Sequence, residues 1–248
     1  MPQKEKIRVL ECIRQGKVGG GESYLLGLVE NLDKTAFEPI VLAFTEGPMI
    51  KKLKSLGFQT HVIYTEKPFD WRVWKKVREL MINERIDIVH AHGTRANSNV
   101  FWAAKKLKLP LVYTCHAWSF HPDQNYFVKK IRIASERFLT GKADVNVCGS
   151  VANGREGKKL FKRFNPQIIY NSVNPEKFNP YGKYKDIRTE LDIDENEIIL
   201  TSIARFTLQK QPRRLIQAFK IISEKVTGIR VLMVGGGEQE QEAIKMIR

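Results

Sequence analysis

Ile7-Arg8-Val9-Leu10 leads through Gly16 to Gly19-Gly20-Gly21-Glu22, after which Leu25, Leu28, Val29 and Leu32 recur at helical spacing. An apolar run that ends in glycines and opens into a helix is the first half of an α/β unit, and the pattern repeats along the chain. Ile86-Asp87-Ile88-Val89 leads to His90 and His92, Leu111-Val112-Tyr113-Thr114 to His116, and Val145-Asn146-Val147 to Ser150. Ile168-Ile169-Tyr170 then leads to Asn171, and Ile198 through Ile203 to Arg205 and Lys210. Between these runs, helical periodicity links Trp74, Val77 and Met81, then Val100, Ala103, Ala104 and Leu107, then Leu215, Phe219, Ile222 and Val226. A βαβα order predicts an α/β fold with a doubly wound parallel sheet. All strand ends of such a sheet lie on one edge, where ligands bind, so a site assembled from many loops is expected.

The rhythm breaks between Asn174 and Asn196, where Pro175, Pro180, Gly182 and many charges replace periodic apolar residues. The expected organisation is a Rossmann-like domain over 1–173, a linker over 174–196, and a second, incomplete Rossmann-like domain over 197–248. That last stretch supplies only strand, helix, strand and the start of a helix.

The chain has 248 residues, 42% of them hydrophobic, enough for a core that needs no disulfide staples. Cys12, Cys115 and Cys148 lie in or just after apolar runs without metal-site spacing, and read as buried free thiols in a reducing cytoplasm. Met1 to Lys6 is short and charged, and no run reaches the roughly 18 apolar residues of a membrane span, so neither export nor spanning is expected. A net charge of +15 predicts an anionic partner: nucleic acid, an acidic lipid surface or a phosphorylated small molecule. No nucleic-acid-binding motif accompanies the charge, which argues against the first.

Each candidate constellation has a plainer reading beside it. The Gly16 to Glu22 turn lets backbone approach a ligand and opens a helix whose free N–H groups favour phosphate, although its spacing fits neither G-x-G-x-x-G nor a P-loop; it could also be a plain flexible turn. His90 and His92 share one face of a strand, but zinc needs three or four ligands and no third follows at plausible spacing, so no metal is expected. Of the two, His92 is expected to be the more exposed, at the cleft edge. His116 either faces the same cleft or packs against Trp118. Asp192-Ile193-Asp194 has the form of a metal-binding D-x-D pair, yet its place before a strand suits solvated turn carboxylates.

Arg205 and Lys210 sit on a loop before Pro212, a favoured first helical residue, and two cations there suit a diphosphate; Gly235-Gly236-Gly237 makes a second glycine turn on the same edge. From His121 to Arg163 the chain carries ten Lys or Arg against four acids, interleaved with Tyr126, Phe127, Phe138, Phe161 and Phe164. Such a stretch suits the headgroup region of an anionic membrane, while a solvated helical face with aromatics in the core accounts for it equally.

In order, these pieces resemble the retaining nucleotide-sugar glycosyltransferases of the GT-B fold, family 4, also called group 1. Gly19-Gly20-Gly21-Glu22 matches the family's Gly-Gly-x-Glu, Asp87-Ile88-Val89-His90-Ala91-His92 its D-V-V-H-x-H strand, and Thr114-Cys115-His116 its T-x-H. Ser150 matches a serine after the next strand. Asn171 to Phe178 resembles N-G-V-D-x-x-x-F, and Ala204 to Gln211 resembles G-R-L-x-x-x-K-G, with Ser172 and Gln211 replacing glycines and Asn174 an aspartate.

The resemblance implies transfer of a sugar from a nucleoside diphosphate to a hydroxyl with retention, in cell-surface polysaccharide or glycolipid synthesis, with no cofactor and no essential metal. It assigns His116 to the transferred sugar as the catalytic candidate, and Gly19, Gly20, Arg205 and Lys210 to the donor phosphates. His92, Ser150, Asn171, Gly235 and Gly236 are expected to line the cleft. The expected partners are a nucleotide-sugar donor, a lipid-linked or saccharide acceptor and an anionic membrane touched through residues 129–163, with no nucleic acid; the expected location is the cytoplasm, at the inner face of the membrane. A different reading is a catalytically silent fragment or acceptor-binding module whose missing donor half a partner supplies.

Overall fold

The computed structural model describes residues 6–16, 19–121 and 124–247. Lys17 and Val18 of the glycine turn and Asp123 of the basic stretch lie outside them. The chain divides into two compact units, Met1–Phe178 and Asn179–Arg248. The division falls inside the stretch with linker composition.

The first unit alternates strand and helix: β1 (Ile7–Ile13), α1 (Gly20–Asn31), β2 (Phe37–Ala43), α2 (Pro48–Ser55), β3 (Thr60–Val62), α3 (Trp71–Asn83), β4 (Ile88–His92), α4 (Gly93–Leu107), β5 (Leu111–Cys115), α5 (Tyr126–Lys142), β6 (Val145–Cys148), α6 (Val151–Leu160) and β7 (Gln167–Ile168). All seven strands pair in parallel in the order β3-β2-β1-β4-β5-β6-β7. The strand order reverses between β1 and β4, and a crevice opens at such a reversal beyond the carboxyl ends of the strands.

Alternation along the strands separates two cores. Leu10 and Cys12, Ile40 and Leu42, Val89 and Ala91, and Tyr113 and Cys115 point to one face, where they join Val77, Met81, Val100 and Leu139 from α3, α4 and α5. Ile13, Val41 and Ala43 point to the other, against Leu25 and Val29 of α1 and Met49, Ile50 and Leu53 of α2. Cys12, Cys115 and Cys148 are buried and free, as their apolar surroundings predict. The two outermost strands are shorter than their apolar runs, β3 keeping three residues of 58–64 and β7 two, because each pairs on one side only.

The second unit holds α7 (Ile187–Glu190), β8 (Ile198–Ile203), a single 3-10 turn at Leu208–Lys210, α8 (Pro212–Ser223), β9 (Ile229–Val234) and α9 (Glu240–Ile247), with β8 and β9 parallel. Residues with linker composition contribute to it. Arg188 Nη1 donates to the carbonyls of Asp194 (2.7 Å) and Glu197 (3.0 Å), and Ile193 is buried. Asp194 accepts from the backbone and side chain of Asn196, which lowers its carboxyl below the ordinary range and identifies it as a turn carboxylate. Two strands leave much apolar surface uncovered: Ile198, Leu200, Ile203 and Val234 are all exposed.

Candidate functional site

Within the first unit, Gly16, the Gly19 to Gly21 turn, His92, His116, Ser150 and Asn171 all follow or end parallel strands and so share one edge of the sheet. β1 and β4 are in register with Glu11 opposite His90 and Ile13 opposite His92. Parity then puts Glu11, His90, His92, Thr114 and His116 on the α1 face, beside the strand-order reversal.

These polar side chains bond to one another. Glu11 Oε2 accepts from His92 Nε2 at 2.7 Å and from His90 Nδ1 at 2.9 Å. His90 Nε2 lies 2.8 Å from Thr114 Oγ1, and His92 Nδ1 lies 3.2 Å from His116 Nε2. The His92 and His116 rings are stacked at 5.4 Å, and Tyr24 from α1 meets His116 edge-on at 4.9 Å. A Cβ on Gly21 would lie 3.7 Å from His116 Cδ2, so His116 sits directly over the start of α1.

Burial by itself would raise the Glu11 carboxyl, but the charge of His90 and the hydrogen bonds of both histidines outweigh it and hold it at about 2. Burial, with the neighbouring His90 charge, pushes His92 down to about 4. Burial, with the charges of His92 and His90, does the same to His116. At neutral pH the buried carboxylate therefore meets an uncharged ring at His92, which in turn meets an uncharged ring at His116.

Two expectations need correction. His92 is 3% exposed and forms the inner link, whereas His90 keeps more solvent contact, because His92 lies beneath Tyr24 and His116 while His90 lies further back on the strand. A third residue of metal-ligating type does accompany the pair: Glu11, 79 positions before His90, brought there by strand pairing rather than by spacing. Among the described residues these three are the one group of this kind, with ligand atoms within 4.8 Å of one another. Glu11 Oε2 already shares hydrogen bonds with both rings, so an ion about 2 Å from each ligand would have to displace them.

His116 does not pack against Trp118. The Trp118 indole donates to the Asn153 carbonyl at 3.1 Å and stacks among Phe120, Phe161 and Phe164, while Asn153 Nδ2 donates to the His116 carbonyl at 3.3 Å. Ser150 caps α6, its hydroxyl accepting from Asn153 N at 3.2 Å. Asn171 is exposed, its side chain against Gly149. Gly19 is the extended residue before α1 and Gly20 its first residue; a Cβ on Gly20 would meet nothing within 4 Å, so that backbone is open to approach.

In the second unit Arg205 and Lys210 are both exposed, Arg205 ahead of the 3-10 turn and Lys210 its last residue. Their loop is tied to the glycine turn: Phe206 N donates to the Gly236 carbonyl (2.9 Å) and Gln239 N to the Phe206 carbonyl (2.9 Å). Gly235 and Gly237 have φ of +148° and +151°, and a Cβ on either would strike the backbone of Ala204 or Phe206. Gly235 and Gly236 thus join Arg205 and Lys210 in one loop cluster. Of the aromatics in the basic stretch, Phe161 and Phe164 are buried in the core, whereas Tyr126, Phe127 and Phe138 are exposed, with Lys130 over the Tyr126 ring and Lys142 over the Phe138 ring.

Glu11 escapes a motif search. The available signal is a lone carboxylate at the fifth position of Ile7-Arg8-Val9-Leu10-Glu11-Cys12-Ile13: a buried charge needs a partner, and histidines end the neighbouring strand.

The family model for Glycosyltransferase Family 4 matches residues 18–177, and that for Glycosyl transferases group 1 matches residues 183–248. The putative glycosyltransferase EpsD of Bacillus subtilis is 23% identical over 223 residues, covering 78% of this chain and 58% of that protein. The alpha-monoglucosyldiacylglycerol synthase of Streptococcus pneumoniae is 21% identical over 186 residues, covering 70% of this chain and 42% of that one. Among solved structures, Anabaena Alr3699/HepE in complex with UDP and glucose superposes with a TM-score of 0.74 at 19% identity, over 96% of this chain and 64% of that one. The sucrose-phosphate synthase of Thermosynechococcus elongatus gives 0.69 at 17% identity, over 98% and 66%. The fold is thus that of GT-B glycosyltransferases, and the chain spans about half of the length of the curated relatives named here. With 160 of its residues matched by one family model and most of the remainder by the companion model, the chain belongs to glycosyltransferase family 4.

Proposed function

We propose that this chain serves the retaining transfer of a sugar from a nucleoside-diphosphate donor to a hydroxyl acceptor in cell-surface polysaccharide or glycolipid synthesis. The observation that carries the reading is the seating of His116 over the glycine-rich start of α1, at the edge of the sheet beside its strand-order reversal. In this reading Gly19 and Gly20 allow close approach of the donor phosphate, and Arg205 and Lys210 stabilise the charge on the departing diphosphate. Two cations can carry that charge, so the reading calls for no essential metal and no cofactor. His116 meets the transferred sugar. The Anabaena structure that holds UDP and glucose supports a nucleotide-sugar donor for a chain of this fold.

Isothermal titration of the 248-residue chain with UDP, UDP-glucose and UDP-N-acetylglucosamine tests this. Binding of at least one, weakened about tenfold or more by Arg205→Ala with Lys210→Ala, is the expected result. No binding to any of the three removes the donor-side reading.

The exposed apolar residues of β8 and β9 favour a second reading, an acceptor-binding module that a partner completes, because those faces are the kind that further strands and helices cover in a doubly wound sheet. That module would bind a lipid-linked or saccharide acceptor while ignoring all three nucleotides. The acceptor side is further supported by Tyr126, Phe127, Ile131 and Phe138, exposed on α5 among lysines, a composition suited to an anionic membrane at the cytoplasmic face. Co-sedimentation with phosphatidylglycerol vesicles but not with phosphatidylcholine vesicles is expected, reduced by Phe127→Ser with Ile131→Ser.

A further inference from the structure

Side chains from three strands connect the interior of the sheet to its ligand-facing edge. Glu11 on β1 is 2% exposed and, when ionised, can only accept hydrogen bonds. The proton in its 2.7 Å contact with His92 therefore belongs to His92 Nε2. A neutral imidazole has one N–H, so His92 Nδ1 carries a lone pair. The 3.2 Å contact between that nitrogen and His116 Nε2 is a hydrogen bond only when His116 Nε2 donates. His116 then has its lone pair on Nδ1. His90 fits either way: its Nδ1 donates to Glu11, and its Nε2 faces the Thr114 hydroxyl, which can donate or accept.

We propose that Glu11, acting through His92, is a positioning residue that fixes His116 in its Nε2–H tautomer and so presents Nδ1 as a neutral acceptor for a hydroxyl of the transferred sugar. The last clause rests on the sugar-transfer reading; the tautomer chain rests on the two contacts, Glu11 with His92 and His92 with His116. The other groups around His116, the Tyr24 ring and the backbone at Gly21, set the plane of the imidazole, and the contact with His92 sets where its proton sits. An acceptor nitrogen discriminates by chemistry. It accepts from a sugar hydroxyl, whereas the carboxylate of a hexuronic acid at the same position would face a lone pair and find no proton.

Long-range 1H–15N correlation spectra of the 248-residue chain at pH 7, without any nucleotide sugar, test the tautomers directly. The five histidines are assigned by single substitution. Pyrrole-like Nε2 and pyridine-like Nδ1 signals are expected for His92 and His116. His92→Phe removes the acceptor for His116 Nε2–H and Glu11→Gln removes the charge that orders His92, so each is expected to convert His116 into a mixture of tautomers. An Nδ1–H tautomer at His116 in the unsubstituted protein overturns the proposal. So does a single unchanged Nε2–H signal in both folded variants. If neither variant folds, the spectrum of the unsubstituted chain decides. No donor is present in these samples, so a failure of the nucleotide titrations leaves this result standing, and a wrong tautomer leaves donor binding untouched.

Discussion

Glu11 and His92, 81 residues apart in sequence, are joined by a 2.7 Å hydrogen bond at the reversal point of a seven-stranded parallel sheet. Strands buried on both faces are ordinarily near-continuous apolar runs, and an ionised carboxylate inside one persists only when its acceptor oxygens are met. Here one oxygen serves two imidazoles. Replacing Glu11 with Leu leaves the His92 and His90 N–H donors without their acceptor and is expected to cost about 1 to 3 kcal/mol. Urea denaturation followed by near-ultraviolet circular dichroism reads this, and a loss under 1 kcal/mol would show that the cluster is not holding the sheet centre.

Acid should loosen the first unit in two stages. His92 and His116 are held near 4 in the fold against an ordinary 6.5, so the unfolded chain binds more protons between those values. Their contribution is complete above about 6.5 and is lost as pH falls through 4, for roughly 1 to 3 kcal/mol per ring. Glu11, held at about 2 against 4.5, contributes stability above 4.5 that disappears as pH falls towards 2. Melting temperatures measured from pH 7 to pH 3 are expected to fall throughout. His116→Phe should flatten the slope between 6.5 and 4, and an unchanged slope contradicts the assignment.

Gly20 separates ligand chemistry from folding. A methyl group there meets nothing and lies in the first turn of a helix, so Gly20→Ala is expected to leave stability unchanged or raise it by up to about 1 kcal/mol while weakening nucleotide-sugar binding. At Gly235 the same methyl strikes the Ala204 carbonyl, so Gly235→Ala should unfold the second unit's loop cluster. Paired thermal melts and titrations of the two variants decide whether the α1 turn is a phosphate approach or an ordinary connection.

Gln211 precedes α8 with φ of +50°, at the place where the family pattern has glycine. A side chain in the left-handed region costs roughly 1 to 2 kcal/mol. Gln211→Gly is therefore expected to stabilise the second unit by about 1 kcal/mol without touching Arg205 or Lys210. A destabilising outcome would mean that the glutamine side chain makes a compensating contact.

The second unit should be the less protected half of the chain. Its strands expose apolar residues that β1, β4 and β5 bury, and protection against hydrogen exchange follows burial and packing. Mass-spectrometric exchange is expected to label Ile198–Ile203 and Ile229–Val234 within minutes while peptides from Leu10–Cys12 and Val89–Ala91 remain protected. Equal protection in both would show that two strands suffice.

Most of the architecture was legible because parallel strands advertise themselves as apolar runs and their helices as 3.6-residue periods. Leu25 and Val29, or Val100 and Ala104, sit where periodicity places them. The strand-end residues were legible for the same reason: once the sheet is parallel, His116 and the Gly19 turn must share an edge. Register was not legible. Glu11 meets His90 only through the alignment of β1 with β4, which no local pattern encodes, and the burial of His92 depends on Tyr24 reaching over it. Ser150 shows the converse, since a serine before a helix announces its capping role by position alone.

The loop that carries His116 is pinned by one helix at two points: Asn153 of α6 accepts from the Trp118 indole and donates to the His116 carbonyl. One turn further, Gly157 lies so close to Trp118 and Phe164 that no larger side chain fits. The backbone at His116 is thereby tied to α6. Bulk introduced at Gly157 would press on Trp118 and Phe164, and so on the loop that Asn153 ties to α6, disturbing the edge of the sheet from further along that helix.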